Sequence, residues 1–156
     1  KIGTQERVEY ICNRFSVTGK QISEQLAERI SQAVDNHSSY VQQLAWLVWV
    51  HTDKIATEKD FESAYQDIID QNTPLFEKQT ESLTTYQMNF LRAVLDGVHS
   101  EFTKQEILNK YQLGTSANIS IVKRALEKKE LIEIEKRKII IPDPIMSVWL
   151  KRELGI

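Results

Sequence analysis

Nine side chains in the second half of this chain are of the types that hold a polyanion: Ser116, Asn118, Ser120, Lys123, Arg124 and Lys128 in one run, then Lys136, Arg137 and Lys138 in another. Lysine and arginine neutralise phosphates and release their condensed counterions. Arginine, asparagine and serine also bond to base edges in the major groove of duplex DNA. The first run has the spacing of an outward helix face, because Ile119, Val122, Ala125 and Leu126 recur at intervals that gather them on the other side. The second sits at the tip of a predicted hairpin, where Ile132 and Ile134 alternate with Glu133 and Glu135 before the chain returns through 139–141. On this reading Lys123 and Arg124 meet phosphates or bases, while Lys136, Arg137 and Lys138 clamp the backbone. Glu127, Glu130, Glu133 and Glu135 lie among these cations and oppose a phosphate, so the expected binding is weak at physiological salt. Without a ligand, the same residues are a solvated helix face and a turn.

Other chemistry has little support. His37, His51 and His99 are widely spaced and none pairs with a cysteine or carboxylate at a metal-ligand interval, so capping or surface roles are expected and no metal site. No serine stands in a nucleophile elbow, and the carboxylates fall on solvated faces rather than in an acid–base pair. Cys12, among Tyr10, Ile11 and Phe15, reads as a core thiol, and a single cysteine forms no internal disulfide. The longest apolar run, 44–50, is too short to span a bilayer, and no signal peptide precedes it; a cytoplasmic protein with no membrane partner is expected. The net charge of −2 argues against a chain wholly given to nucleic acid, but the charge is unevenly placed. Residues 1–80 hold 8 basic against 12 acidic side chains (8 − 12 = −4), and 81–156 hold 12 against 10 (12 − 10 = +2).

The elements that must position these residues are mainly helical. In the second half a first helix is predicted over 84–96, capped by Thr84 or Thr85 and striped by Phe90, Leu91, Val94 and Leu95. A second starts at Thr103 with Glu106 closing a capping box, and turns at Gly114. The third runs over 116–129, and the hairpin follows. Pro142-Asp143-Pro144 then launches a last helix with Ile145, Val148, Trp149 and Leu150 inward. The first half reads as four helices. Val8, Ile11, Cys12 and Phe15 stripe the first, and Ser23 starts a second with Ile22, Leu26, Ile30, Ala33 and Val34 inward. The third, 40–51, is apolar almost all round and capped from 36–39, so it should be covered on several sides. The fourth opens at Thr57 or Glu58 and buries Phe61, Ala64, Tyr65, Ile68 and Ile69; Pro74 begins a helical passage through 75–83, with no Gly/Ser tether. The expected division is a helical unit over 1–80 and a second unit over 81–156.

The segment Thr115-Ser116-Ala117-Asn118-Ile119, leading into Val122-Lys123-Arg124-Ala125-Leu126 and the basic-tipped hairpin, resembles the winged-helix domains of prokaryotic regulators. Tyr40-Val41-Gln42-Gln43-Leu44-Ala45 after a helix-end loop, then Trp49, then a winged helix closed by Pro142-Asp143-Pro144 and a helix with Trp149, resembles the C-terminal region of archaeal-type P-loop ATPases of the AAA+/STAND group. That likeness covers nearly the whole chain. It implies that 1–80 is a lid over nucleotide, and that ATP and Mg belong to a core preceding Lys1, which is itself a partner of this piece. The missing initiator methionine and an opening already in helical register fit an excised fragment. No glycine begins a G-x-x-x-x-G-K-[ST] phosphate loop, Gly19-Lys20 being followed by Gln21, so the fragment itself should bind no nucleotide cofactor and not be an enzyme. Relatives carry a proline before the Tyr-Val-Gln motif where this chain has His37-Ser38-Ser39, and no arginine beside that loop takes the part of a phosphate sensor.

The fold class expected is therefore mainly α, a helical lid-like bundle followed by a winged helix with a small β-hairpin wing. Two functions follow from it. The winged helix contacts double-stranded DNA, or it is a protein-contact module that relays the nucleotide state of the ATPase core.

Overall fold

The computed structural model describes residues 3–156. The chain divides into two compact units, Lys1–Asn72 and Thr73–Ile156.

The first unit holds α1 (Thr4–Val17), α2 (Glu24–Ala33), α3 (Ser38–His51) and the start of α4 (Glu58–Thr80). Helix α1 buries Val8, Ile11 and Phe15 of the predicted stripe, while Cys12, expected in the core, is half-buried, and the helix ends where the Thr18 hydroxyl donates back to the carbonyls of Arg14 and Phe15. Ser23 caps α2 by accepting from the Leu26 amide at 3.1 Å, which satisfies one of the orphan donors of the first turn. The two helix links are stitched together: the Gln21 amide donates to the Lys54 carbonyl and the Ala56 amide to the Gln21 carbonyl, each at 2.8 Å.

Two expectations for α3 are corrected. Helix α3 starts at Ser38, and its cap position, His37, makes no side-chain bond to the helix. Asn36 is engaged elsewhere, its Oδ1 accepting from the Ser31 hydroxyl at 2.6 Å. Nor is α3 covered all round. Val41, Leu44, Leu47 and Val48 are buried, whereas Trp46 stays 61% exposed and Val50 48%.

Helix α4 runs through Pro74 without ending. Proline has no amide to give the carbonyl one turn back, so this turn holds one backbone bond fewer than its neighbours. Beyond it Phe76 is fully buried and lies tilted against Trp149, ring centroids 5.6 Å apart. The close of α4 thus belongs to the second unit, and the division falls at 72/73 rather than at 80/81.

The second unit continues with α5 (Thr85–Leu95), α6 (Gln105–Lys110), α7 (Ser116–Lys128), the strands β1 (Glu133–Glu135) and β2 (Lys138–Ile140), and α8 (Pro144–Leu154). This is the expected order of helices, hairpin and closing helix. Thr84 caps α5 with a full capping box: its hydroxyl accepts from the Gln87 amide at 3.1 Å while its own amide donates to Gln87 Oε1 at 3.0 Å. Asp143 Oδ1 accepts from the amides of Ile145 and Met146, each at 3.0 Å, and fixes the start of α8 as predicted.

Helix α6 departs from prediction. It begins at Gln105, its cap position Lys104 makes no side-chain bond, and the Thr103–Glu106 box is not formed. The cause lies upstream, where Glu101 takes a left-handed φ of +59° and Phe102 is drawn into the core, its ring stacked 4.5 Å from that of Phe90. Burying that ring outweighs a box worth about 1 kcal/mol.

Candidate nucleic-acid interface

Helix α7 is aimed by its N-terminal turn. Gly114 has a φ of +80°, and a side-chain carbon there would stand 3.3 Å from the Tyr86 ring and 3.4 Å from the Asn118 amide nitrogen. The Thr115 hydroxyl then accepts from the Asn118 amide at 3.4 Å to cap the helix. Ile119, Val122 and Leu126 anchor the inner face, and Ala125, expected with them, is half-buried.

Of the predicted residues on α7, Ser116, Ser120, Arg124 and Lys128 are exposed. They recur every fourth position and so form one row along the helix. Lys123 is half-buried at the margin of that row. Asn118 is a correction. Rather than facing outward to read bases, it is half-buried, and its Nδ2 donates to the Leu113 carbonyl at 3.0 Å. That carbonyl closes the turn before α7 and has a geometric claim on the amide, so Asn118 positions the helix.

The wing carries Lys136, Arg137 and Lys138, all exposed. The strands pair Glu133 with Ile140, Ile134 with Ile139 and Glu135 with Lys138, which leaves Lys136 and Arg137 as the two turn residues. Their φ angles of +50° and +65° are those of a type I′ turn, which favours Asn-Gly. Ile134, which alternates with Glu133 and Glu135, is 43% exposed, whereas Ile139, paired with it across the hairpin, is buried.

The far edge of β2 is held by His99, expected only to cap or to lie on the surface. The Ile139 amide donates to the His99 carbonyl at 2.8 Å, and His99 Nδ1 lies 2.8 Å from the Ile139 carbonyl. A carbonyl only accepts, so Nδ1 carries the proton. A side-chain-to-backbone pair between residues 40 apart leaves no periodic trace in sequence.

Electrostatically the site is simple. Lys123, Arg124, Lys128, Lys136, Arg137 and Lys138 make no ion pair or side-chain hydrogen bond among the described residues. None of the four glutamates nearby in sequence forms an ion pair with them among the described residues, although Glu135 stands opposite Lys138 across the hairpin. Lys129 differs: its ammonium donates to the Ser82 hydroxyl at 3.4 Å. Another residue missed by the sequence reading is Ile121, 66% exposed in the middle of α7. It falls outside the buried stripe of Ile119 and Val122, and that offset was the signal that marks it as outward.

A family model described as "Probable winged helix domain" matches residues 74–152. The chain belongs to that family. The match begins at the proline of α4, in keeping with the burial of Phe76 against Trp149. Among solved structures, the winged-helix chain and its preceding helices are similar to the Walker-type ATPase of Pyrococcus abyssi, with a TM-score of 0.74 over 96% of this chain and 16% identity. At that identity the likeness is one of fold. This chain spans 42% of the length of that protein. No curated protein matches the sequence.

Gly19-Lys20, the one glycine–lysine pair of the sequence, is taken up in helix ends. Gly19-Lys20 closes α1, the Gly19 amide donating to the Ser16 carbonyl and the Lys20 amide to Phe15. The Lys20 ammonium donates to the Trp49 carbonyl at 2.8 Å and lies 3.9 Å over the Trp49 ring, so it is committed to the end of α3. Cys12 is equally settled: burial, then the charge of Glu24, pushes its thiol up, and Sγ lies 3.8 Å from the Ile22 carbonyl. Among the described residues no three His, Cys, Asp or Glu gather as metal ligands, and no helix is long and apolar enough to cross a membrane.

Proposed function

We propose that this chain is a regulatory arm of a P-loop ATPase, and that its winged helix holds double-stranded DNA with α7 in the major groove and the wing tip on the phosphate backbone. The observation that carries the DNA contact is the set of six exposed or half-buried cations on α7 and the wing with no protein partner. Unpaired charges of one sign, borne on a helix row and a hairpin tip, suit a polyanion. The arm reading rests on the fold shared with the Walker-type ATPase. In it the first unit takes the place of a lid, with ATP and Mg bound by a core outside this sequence.

The test is a titration of the 156-residue chain against labelled duplex DNA at low and raised salt, with a variant carrying Lys123→Ala, Arg124→Ala and Arg137→Ala together. Binding that falls with salt and with the triple change is expected. Absence of binding at low salt would refute the DNA contact. A specific observation favours a second reading, a protein-contact arm. The first unit has an open cleft of about 360 Å³ between α1 and α3, lined in part by Tyr10, Phe15, Trp46 and Trp49, of which Tyr10 and Trp46 are exposed. Such aromatic surface is what protein interfaces use. That reading expects binding insensitive to salt and weakened by Trp46→Ala.

A further inference from the structure

We propose that Ile121, with Ala117 one turn before it, makes α7 a reader of thymine 5-methyl groups. The inference rests on the DNA contact proposed above and names what that contact prefers. Ile121 is the large apolar side chain of the outward face: 66% exposed, while Ile119 and Val122 beside it in sequence are 6% and 5% exposed. Its neighbours on that face are Ala117 four residues before, Arg124 three after and Lys128 seven after, all exposed. The apolar pair is therefore set among unpaired cations rather than within an apolar field. This composition favours a polyanion over an apolar protein partner.

Once cations hold the backbone, the middle of the helix faces base edges. Every base pair presents hydrogen-bonding groups in the major groove, and the thymine 5-methyl is the one apolar group among them. An isoleucine pressed on a guanine or cytosine edge strips water from donors and acceptors and returns no bond. Against a thymine methyl it buries carbon on carbon. The side chain is β-branched and stiff in a helix, so little rotamer freedom is lost on contact. Asn118 is tied to the Leu113 carbonyl, which leaves Ile121 beside Ser116, Ser120 and Arg124 among the outward residues able to discriminate between bases.

The experiment compares two duplexes of one A·T-rich sequence, one with thymine and one with deoxyuridine throughout, against the 156-residue chain and its Ile121→Ser variant at low salt. Each contacted methyl contributes about fourfold in affinity, the value of one buried carbon unit. The expected result is that the chain binds the thymine duplex several-fold more tightly, and that Ile121→Ser loses most of that preference with unchanged salt dependence. Equal binding of both duplexes by the unaltered chain would overturn the inference while leaving the DNA contact intact. A thymine preference that persists undiminished in Ile121→Ser, with its circular dichroism unchanged, would also overturn it. No binding to either duplex would remove the DNA contact and the inference with it, and would assign this face to a protein. The comparison of duplexes on the unaltered chain stands even where the variant does not fold.

Discussion

Replacing the wing turn Lys136-Arg137 by Asn-Gly should make the protein more stable and a poorer DNA binder. The two residues have φ of +50° and +65°, in the left-handed region. A side chain bearing a Cβ carries about 1 kcal/mol of strain there; asparagine carries less and glycine none. Glycine returns part of that gain by loosening the unfolded chain, so the net stabilisation is about 1 kcal/mol. For a unit of this size that raises the melting temperature by roughly 4–8 °C. The same change deletes two of the unpaired cations. With a slope of about −0.9 per phosphate contact, log K against log salt should become shallower by about 1.8. Over a fourfold rise in salt, the unaltered protein then loses about 12-fold more affinity than the variant does. Calorimetry reads the first effect and fluorescence anisotropy with labelled duplex the second. A variant that melts lower would refute the strain argument, and an unchanged salt slope would show that the wing tip does not meet phosphate. Stability given up at a turn that keeps two cations is in keeping with the phosphate contact proposed for it.

Three further outcomes are expected. Thr84→Ala removes the hydroxyl that accepts from the Gln87 amide, while its own amide still donates to Gln87 Oε1, and should destabilise the second unit by about 1 kcal/mol, read by urea unfolding. Asn118→Ala should cost about 1 kcal/mol by orphaning the Leu113 carbonyl yet leave the salt slope of DNA binding unaltered, whereas a base-reading asparagine would show itself as a change in sequence preference. The Tyr111 hydroxyl donates to Asp96 Oδ2 at 2.5 Å, and that bond, then burial, then the Asp96 charge push its phenol up to about 12. Because the folded value lies above the ordinary one of about 10, the stabilisation is complete below pH 10 and is lost as pH rises through 12. In an alkaline absorbance titration one of the five tyrosines should ionise late, and Tyr111→Phe should abolish that late step.

The elements legible in the sequence were those whose causes are local. Caps at Ser23, Thr84 and Asp143, and stripes such as Phe90-Leu91-Val94, act within one helical turn, so periodicity and cap chemistry placed the helices and the hairpin. Distant contacts overrode the local signal elsewhere. Phe102 left the helix start for the ring of Phe90, and the amide of Asn118 served the Leu113 carbonyl. The apolar surplus on α3 showed that the helix is buried, but not that Trp46 would remain open. At the candidate interface, residue type and spacing found the cations. That they form no ion pair with the nearby glutamates was visible only in three dimensions, and Ile121 escaped notice because it is apolar on a face read for charge.

The stitch between His99 and Ile139 also bears on self-association. A hairpin of three-residue strands offers two rims to which the backbone of another molecule can add. His99 occupies the rim of β2 with both a carbonyl and a ring nitrogen. The rim of β1 is left, and there Glu133 and Glu135 stand exposed on either side of Ile134. A second copy adding in antiparallel fashion would bring its own pair of carboxylates against these, with the apolar Ile134 between them as the attraction to be overcome. The exposed glutamates thus oppose the pairing of two copies along the one open rim, and their replacement by neutral residues should favour a closed dimer.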